Sequence, residues 1–292
     1  LAQLPLGMRR VHYLRTEADA RPLAAALRGC RHLVVVGGGL IGLEAAASAA
    51  ELGLRVTVLE VAPRILARVC DEETGAFIAE QHRKHGVDLR TSTAIVGVRS
   101  TPDVVQIETS AGTILAADTV VVGTGVRPND ALAAAAGLKV DNGIVVDEQC
   151  RTTDPAIFAA GDAVRFPAPH GLVRLENWKH AQDQGAVAGR NAAGKCEVYR
   201  TVPSFWSEQY DLYIQGVGYA PAQPDARVRR PLAGNSMLSF EIAGGVLVYA
   251  MGINAQRDLA AARRLIERRI PVDPAALADP ARPLASLLKA TA

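Results

Sequence analysis

Gly37, Gly39 and Gly42 stand in the run "VVVGGGLIGLE", directly behind an apolar segment and at the head of an Ala-rich one. That order belongs to a turn between a buried strand and a helix. Gly37 permits the tight turn, Gly39 lets the backbone approach a pyrophosphate, and Gly42 lets helix and strand pack closely. The helix start adds unpaired N–H groups and the positive end of a dipole, both suited to phosphate oxygens. The next apolar run, "RVTVLE", ends in Glu60. A carboxylate at the end of the second strand accepts hydrogen bonds from the adenosine ribose hydroxyls and repels a 2′-phosphate. These residues predict a dinucleotide site that takes NAD in preference to NADP. Arg64 and Arg68 follow closely and keep NADP open, since either could reach a phosphate. A glycine-rich turn with no ligand is the competing reading. Glu44, just after Gly42, is expected in the first helical turn, where the dipole favours an acid. Its functional alternative is a place toward the nicotinamide.

A second stretch, "RTTDPAIFAAGDAV", carries Gly161 and Asp162 behind a short apolar segment. Ala156 to Ala160 reads as a strand that delivers Asp162 to its site. An aspartate in that position either N-caps the following segment or accepts hydrogen bonds in a dry cleft, where leaving a polar group unpaired is costly.

The elements that must hold these residues follow from periodicity. "HLVVV" is a continuous apolar run, as in a parallel strand covered on both faces. A helix from Leu40 to Leu52 is closed by Gly53, and "RVTVLE" is the next strand. A charged helix over about 71–85 and a strand at "VDLR" extend the βαβ pattern. Residues 93–117 alternate like antiparallel strands, "DTVVVGTG" is a buried strand stopped by Pro128, and Gly143 to Asp147 is a further short strand. A helix is expected from about Glu176 to Asn191. Near Tyr199 the composition shifts to aromatic, β-type alternation. There "SMLSFEI" and "GVLVYAMGI" flank "AGG" and read as a hairpin with a glycine turn. A helix from Asp258 to Arg269 and a helical tail complete an α+β module behind an α/β portion.

Composition excludes several classes. Of 292 residues, 49% are apolar and 21% charged, which is ordinary for a globular protein and too apolar for a disordered one. A net charge of +2 does not suit a nucleic-acid binder. "LVVVGGGLIGL" is too short and too glycine-rich for a membrane span, and "LAQLPLGMRR" lacks the order of a signal peptide. Cys30, Cys70, Cys150 and Cys196 are widely spaced with no CxxC pair, which argues against a disulfide framework, a metal ribbon and a local redox dithiol. Free thiols in a reduced cytoplasm are expected.

The ordered set "VHYLRTEADA", "VVVGGGLIGLEAAASAAELGLRVTVLE", "VVVGTGVRPN", "RTTDPAIFAAGD", "RLENWKHAQDQG", "FWSEQYD" and "INAQRDLAAARRLI" resembles the ferredoxin reductases of oxygenase systems. These serve biphenyl- or toluene-type dioxygenases in aromatic hydrocarbon catabolism, and bacterial cytochromes P450. The resemblance spans nearly the whole chain. It implies two dinucleotide-binding, glutathione-reductase-like domains with an α+β C-terminal domain. Residues 1–28 would end the first FAD-domain segment and cross over, 29–141 would bind NAD, 142–199 would form the second FAD segment, and 200–292 the interface domain. In that family NADH passes hydride to FAD, and FAD passes electrons singly to a [2Fe–2S] ferredoxin. The resemblance puts the flavin-contacting arginine at Arg15, the ribityl aspartate at Asp162 behind Gly161, and Gly125 near the nicotinamide. It puts Glu44 beside the carboxamide, and Trp178 and Trp206 against the isoalloxazine, where they would bury the ring and exclude oxygen and water. Core packing is the alternative for both tryptophans. Family members also carry an N-terminal strand–GxGxxG–helix unit for the ADP half of FAD. This chain, which starts at Leu1, has one GxGxxG, so the expectation is that the FAD domain is only partly present and flavin is held weakly.

Two other functions compete. A pyridine nucleotide–disulfide oxidoreductase shares the architecture, but 43–141 holds one cysteine and the C-terminal module lacks the His-Pro segment such enzymes use. A nucleotide-binding remnant or interaction module without flavin activity is the other. Charge points to the partner. Residues 200–292 carry eleven Lys and Arg against eight Asp and Glu, concentrated in "ARVRR" and at Arg263, Arg264, Arg268 and Arg269. A basic face there would speed docking of an acidic ferredoxin.

Overall fold

The computed structural model describes residues 1–169 and 171–289. Contacts divide it into two compact units, residues 1–125 with 208–211, and the remainder of the described chain.

The first unit is built on a parallel sheet of order β1-β8-β2-β3-β4. Its strands are β1 (Val11–Tyr13), β2 (His32–Val36), β3 (Arg55–Leu59), β4 (Asp88–Arg90) and β8 (Thr119–Val122). Between β4 and β8 the chain forms an antiparallel sheet of β5 (Ile95–Ser100), β6 (Val105–Thr109) and β7 (Ile114–Ala117). All five residues of β2 are buried, and the strand feeds two cores at once. Leu33 and Val35 pack with Ala46 and Ala49, whereas Val34 and Val36 pack with Val105 and Ile107. This two-sided demand is why the run is apolar at every position. The helices are α1 (Glu17–Leu27), α2 (Leu40–Glu51) and α3 (Glu72–Lys84). Thr16 and Asp19 close a capping box on α1, satisfying two orphan donors reciprocally. Asp71 caps α3 by accepting from the Thr74 N–H at 2.9 Å.

The second unit begins with α4 (Ala131–Ala135) and a small sheet of β9 (Ile144–Val145), β10 (Val164–Ala168) and β11 (Gly171–Val173). Helix α5 (Trp178–Ala192) follows. A five-stranded sheet of order β12-β13-β16-β15-β14 comes next, with β12 (Ser204–Gln209), β13 (Leu212–Gly218), β14 (Ala226–Pro231), β15 (Met237–Ala243) and β16 (Val246–Ile253). Helices α6 (Gln256–Arg268), α7 (Pro274–Ala278) and α8 (Leu284–Leu287) end it. The β15–β16 turn uses Gly244 and Gly245, both at positive φ, 59° and 71°. A tight hairpin of this hand requires that conformation. Leu238, Phe240 and Leu247 form a core with Leu259, Ala262 and Leu265 of α6.

Two expectations need correction. Ala156 to Ala160 is not a strand: it carries only an isolated bridge, Arg151 to Phe158. Its backbone is consumed locally, since the Ile157 N–H bonds Asp154 O, the Thr152 N–H bonds Ile157 O, and the Ala159 N–H bonds Cys150 O. The strand follows Asp162 instead, as β10, and pairs with β11 in a hairpin that Pro167 and Pro169 conceal in the sequence. Pro167 lies opposite Leu172 in that pairing. Helix α5 starts at Trp178, later than expected, because Asn177 accepts the His180 N–H at 2.8 Å. That hydrogen bond is an N-cap. Among the described residues, no helix is long and apolar enough to cross a membrane. The four cysteines are free, and three of them are buried.

Candidate functional site

In the first unit the glycine run lies at the end of β2, beside the end of β8. A Cβ on Gly37 (φ 111°) would sit 2.5 Å from Gly123 O, and one on Gly42 would sit 2.1 Å from Gly37 O. Backbone packing therefore excludes a side chain at both. Gly39 differs, because nothing lies within 4 Å of its missing Cβ. It is the extended N-cap of α2, and no side chain caps that helix. Open space in front of uncapped helix N–H groups fits a pyrophosphate.

Glu60, half-buried at the end of β3, borders this cradle. Its Oε2 accepts the Gly38 N–H at 2.6 Å and its Oε1 accepts the Ala62 N–H at 2.7 Å. Each carboxylate oxygen has a second lone pair, which leaves acceptor capacity for ribose hydroxyls. Arg64 donates to Ala67 O at 3.1 Å and to Leu66 O, so its guanidinium folds onto its own loop. Arg68 is exposed and lies near Gly125, 3.8 Å from where a Cβ of that residue (φ 100°) would be. Glu44 is not in the first helical turn, contrary to expectation, and α2 has no acid there. The helix already begins at Leu40, inside the glycine motif, so Glu44 falls one turn later and is half-buried. Arg15 is exposed, immediately before the Thr16 cap, with its backbone N–H 3.3 Å from Asp19 Oδ2.

In the second unit Gly161 and Asp162 form a 3-10 turn with Ala163 between the 150–160 loop and β10. Gly161 (φ 82°) packs on Ala181 of α5, and its N–H donates to the buried Gln184 Oε1 at 2.8 Å. Sequence reasoning missed Arg174. Its guanidinium pairs with Glu176 at 2.6 Å and donates to Asp162 O at 3.4 Å, while its Cδ is 3.1 Å from where a Gly143 Cβ would be. One side chain thus joins the Asp162 turn to the "ENW" segment. Its place just before that segment is the only hint in the sequence.

Trp178 and Trp206 are brought together edge-on, with ring centroids 6.0 Å apart and planes at 80°. Core packing does not explain them, since they are 64% and 44% exposed. Their apolar rings form a platform at the start of α5, the helix that also carries Ala181 against Gly161. Close by on the same helix, His180 is fully buried, stacked on Phe166 at 4.7 Å with its Nδ1 2.9 Å from the Tyr199 hydroxyl. Burial pushes its pKa down to about 4. Desolvation disfavours the charged ring, which is therefore neutral at neutral pH.

The basic cluster is smaller than the sequence suggests. Arg230 of "ARVRR" is 2% exposed and donates to Leu277 O at 2.7 Å and Ala276 O at 3.1 Å. It ties down the last carbonyls of α7 and presents no charge to a partner. Arg263 pairs with Glu267 at 2.8 Å, whereas Arg264, Arg268 and Arg269 are exposed.

The model of a protein family described as pyridine nucleotide-disulphide oxidoreductase matches residues 3–185. The chain belongs to that family. A second model, described as reductase C-terminal, matches residues 204–288. The chain is 45% identical over 273 residues to the ferredoxin–NAD(+) reductase component of an anthranilate 1,2-dioxygenase system from Burkholderia cepacia, covering 92% of this chain and 67% of that protein. It is 41% identical to rhodocoxin reductase from Rhodococcus erythropolis, covering 92% and 64%. Among solved structures it resembles the covalent putidaredoxin reductase–putidaredoxin complex with a TM-score of 0.92 and 36% identity, covering 96% of this chain and 69% of that one. The chain spans about two thirds of the length of these relatives. It has a first unit built on a parallel sheet and a second unit of mixed helices and sheets. The four free cysteines give it no disulfide of its own among the described residues.

Proposed function

We propose that this chain is the NADH-binding and interface portion of a flavoprotein reductase that passes electrons from NADH through FAD to an acidic [2Fe–2S] ferredoxin of an oxygenase system. The observation that carries the reading is the Glu60 carboxylate, fixed by two backbone N–H groups beside the open Gly39 cradle. FAD supplies the conversion of a two-electron donor into single-electron steps.

The chain's own residues do the positioning. Gly37, Gly39 and Gly42 hold the NAD pyrophosphate on the α2 N-terminus, and Glu60 accepts the ribose hydroxyls. Gly125 shapes the loop toward the nicotinamide, with Glu44 for its carboxamide. Asp162, held behind Gly161 and steadied by Arg174, accepts the ribityl hydroxyls, and Arg15 contributes to the flavin side. Trp178 and Trp206 shield the ring from water. Residues 29–141 serve NAD, 142–199 the flavin, and 200–292 the partner, which docks near Arg264, Arg268 and Arg269, with Arg263 partly neutralised by Glu267. Four free thiols suit a reducing cytoplasm.

The test is anaerobic. Protein supplied with FAD is mixed with NADH or NADPH, flavin bleaching is followed by absorbance, and a [2Fe–2S] ferredoxin is then added. Bleaching by NADH in preference to NADPH, followed by ferredoxin reduction, is expected. Bleaching without ferredoxin reduction would refute the partner, and preference for NADPH would refute the role of Glu60.

A further inference from the structure

Trp178 and Trp206 face an unusual problem. Both are exposed, and they meet edge-on, a contact too small to orient two indoles by itself. Their orientation must come from the backbone beneath them. On one side the Asn177 cap fixes the start of α5 and hence Trp178. On the other side, β12 must be held so that Trp206 points at its partner.

Phe205 explains how. Adjacent residues in a strand point to opposite faces. Ser207 and Gln209, on the Phe205 face, are each 1% exposed, whereas Trp206 and Glu208 face outward. The Phe205 ring lies directly on the backbone of Gly216 in the neighbouring strand β13. A Cβ at Gly216 would sit 2.2 Å from Phe205 Cε1, 2.7 Å from its Cζ and 2.8 Å from the Tyr249 hydroxyl. Gly216 does not adopt a positive φ, so backbone freedom is not why it is glycine. Glycine inside a strand carries an entropic cost and gives no side chain to pack. Space for the Phe205 ring is what offsets that cost.

We propose that Phe205 and Gly216 are a positioning pair: the ring seated on the glycine sets the roll of β12 and thereby aims Trp206 at Trp178. This rests on the reading that the two indoles line the flavin, but the orientation itself can be measured without flavin. Trp178 and Trp206 are the only tryptophans in the chain, so indole spectra report this pair alone.

The experiment compares Gly216→Ala, Phe205→Leu, the double variant and, as assignment control, Trp206→Phe in the full chain. Readouts are the indole exciton couplet in circular dichroism, tryptophan emission, NADH binding and retention of added FAD. Gly216→Ala is expected to lose most of the couplet, and Phe205→Leu to weaken it. In the double variant the new methyl fills the space the ring has left, so the couplet should recover beyond either single change, a non-additivity that marks direct coupling. NADH binding at the glycine cradle should be unchanged throughout. Should Gly216→Ala fail to fold, Phe205→Leu, which introduces no overlap, decides alone. An unaltered couplet in Phe205→Leu, or purely additive effects in the double variant, would overturn the proposal. A lost couplet with flavin retention untouched would instead leave the positioning pair standing and refute the flavin role of the indoles.

Discussion

Glu60 Oε2 lies 2.6 Å from the backbone nitrogen of Gly38, inside the glycine run. The carboxylate proposed to select the ribose therefore also braces the loop proposed to receive the pyrophosphate. A Cβ on Gly38 would meet Glu60 Oε2 at 3.1 Å and Ile65 Cγ2 at 2.9 Å, so the two positions are sterically as well as electrostatically matched.

Replacing Glu60 with alanine should consequently do two things. It removes the ribose acceptors and the repulsion of a 2′-phosphate, and it frees the Gly38 and Ala62 N–H groups. A hydrogen bond to a charged group contributes about 1.5 to 3 kcal/mol, so NADH affinity should fall by roughly tenfold or more. NADPH affinity should fall less, narrowing the preference. Titration of both nucleotides against wild type and Glu60→Ala checks this, and an unchanged ratio would remove Glu60 from the site.

Arg174 should matter to the flavin side and not to NADH. Its side chain is 12% exposed and serves Glu176 and the Asp162 carbonyl together. Arg174→Met removes this donor from both. The Glu176 side chain is 41% exposed, so water recovers part of the loss. An effect of about 1 kcal/mol, or somewhat under tenfold in FAD affinity, is expected. Asp162→Ala, measured alongside by flavin fluorescence, should weaken FAD at least as much. Equal loss of NADH binding in Arg174→Met would point to a folding defect.

The contrast between Glu60 and Asp162 shows what a sequence can disclose. Gly37, Gly39, Gly42 and Glu60 are read from one βαβ unit, in which strand, turn, helix and strand are contiguous and period and spacing agree. Asp162 is equally visible as a residue, but its setting is not. Whether 156–160 becomes a strand depends on hydrogen bonds to Cys150, Thr152 and Asp154, which divert it into a loop. Arg230 is harder still: its burial is decided by carbonyls of Ala276 and Leu277, far along the chain. The exposure of Trp178 and Trp206 runs against their apolar character, because an apolar side chain left at the surface looks, in sequence, like one that packs.

Docking charge should reside on Arg264 and Arg268. Arg263 is already paired with Glu267 and Arg230 is buried, so neither offers a full charge to an approaching acidic surface. Arg264→Glu with Arg268→Glu should slow reduction of an acidic ferredoxin and flatten its dependence on ionic strength. Reduction of ferricyanide, which needs no protein docking, should be unchanged. Stopped-flow traces with both acceptors separate these outcomes, and equal slowing with both would exclude a docking role.

His180 should give the second unit a pH-dependent stability. Its ring is fully buried between Phe166 and Tyr199, and burial lowers its pKa from 6.5 to about 4, with Asp183 opposing weakly. Between those values the unfolded chain binds a proton that the folded chain refuses. Stability is then complete above about pH 6.5 and is lost as pH falls toward about 4, by ~3 kcal/mol for this one group. His82, His32 and His12, which lie in the first unit, are also shifted down by burial and act on that unit in the same direction. Chemical denaturation at neutral and at mildly acidic pH should show the decline. In His180→Phe, which keeps the stack on Phe166 but cannot titrate, the decline should be shallower. Its stability at neutral pH should also drop, through loss of the Tyr199 hydrogen bond at 2.9 Å. An identical pH slope in wild type and variant would mean that His180 is charged in the folded chain, or that its burial is relieved.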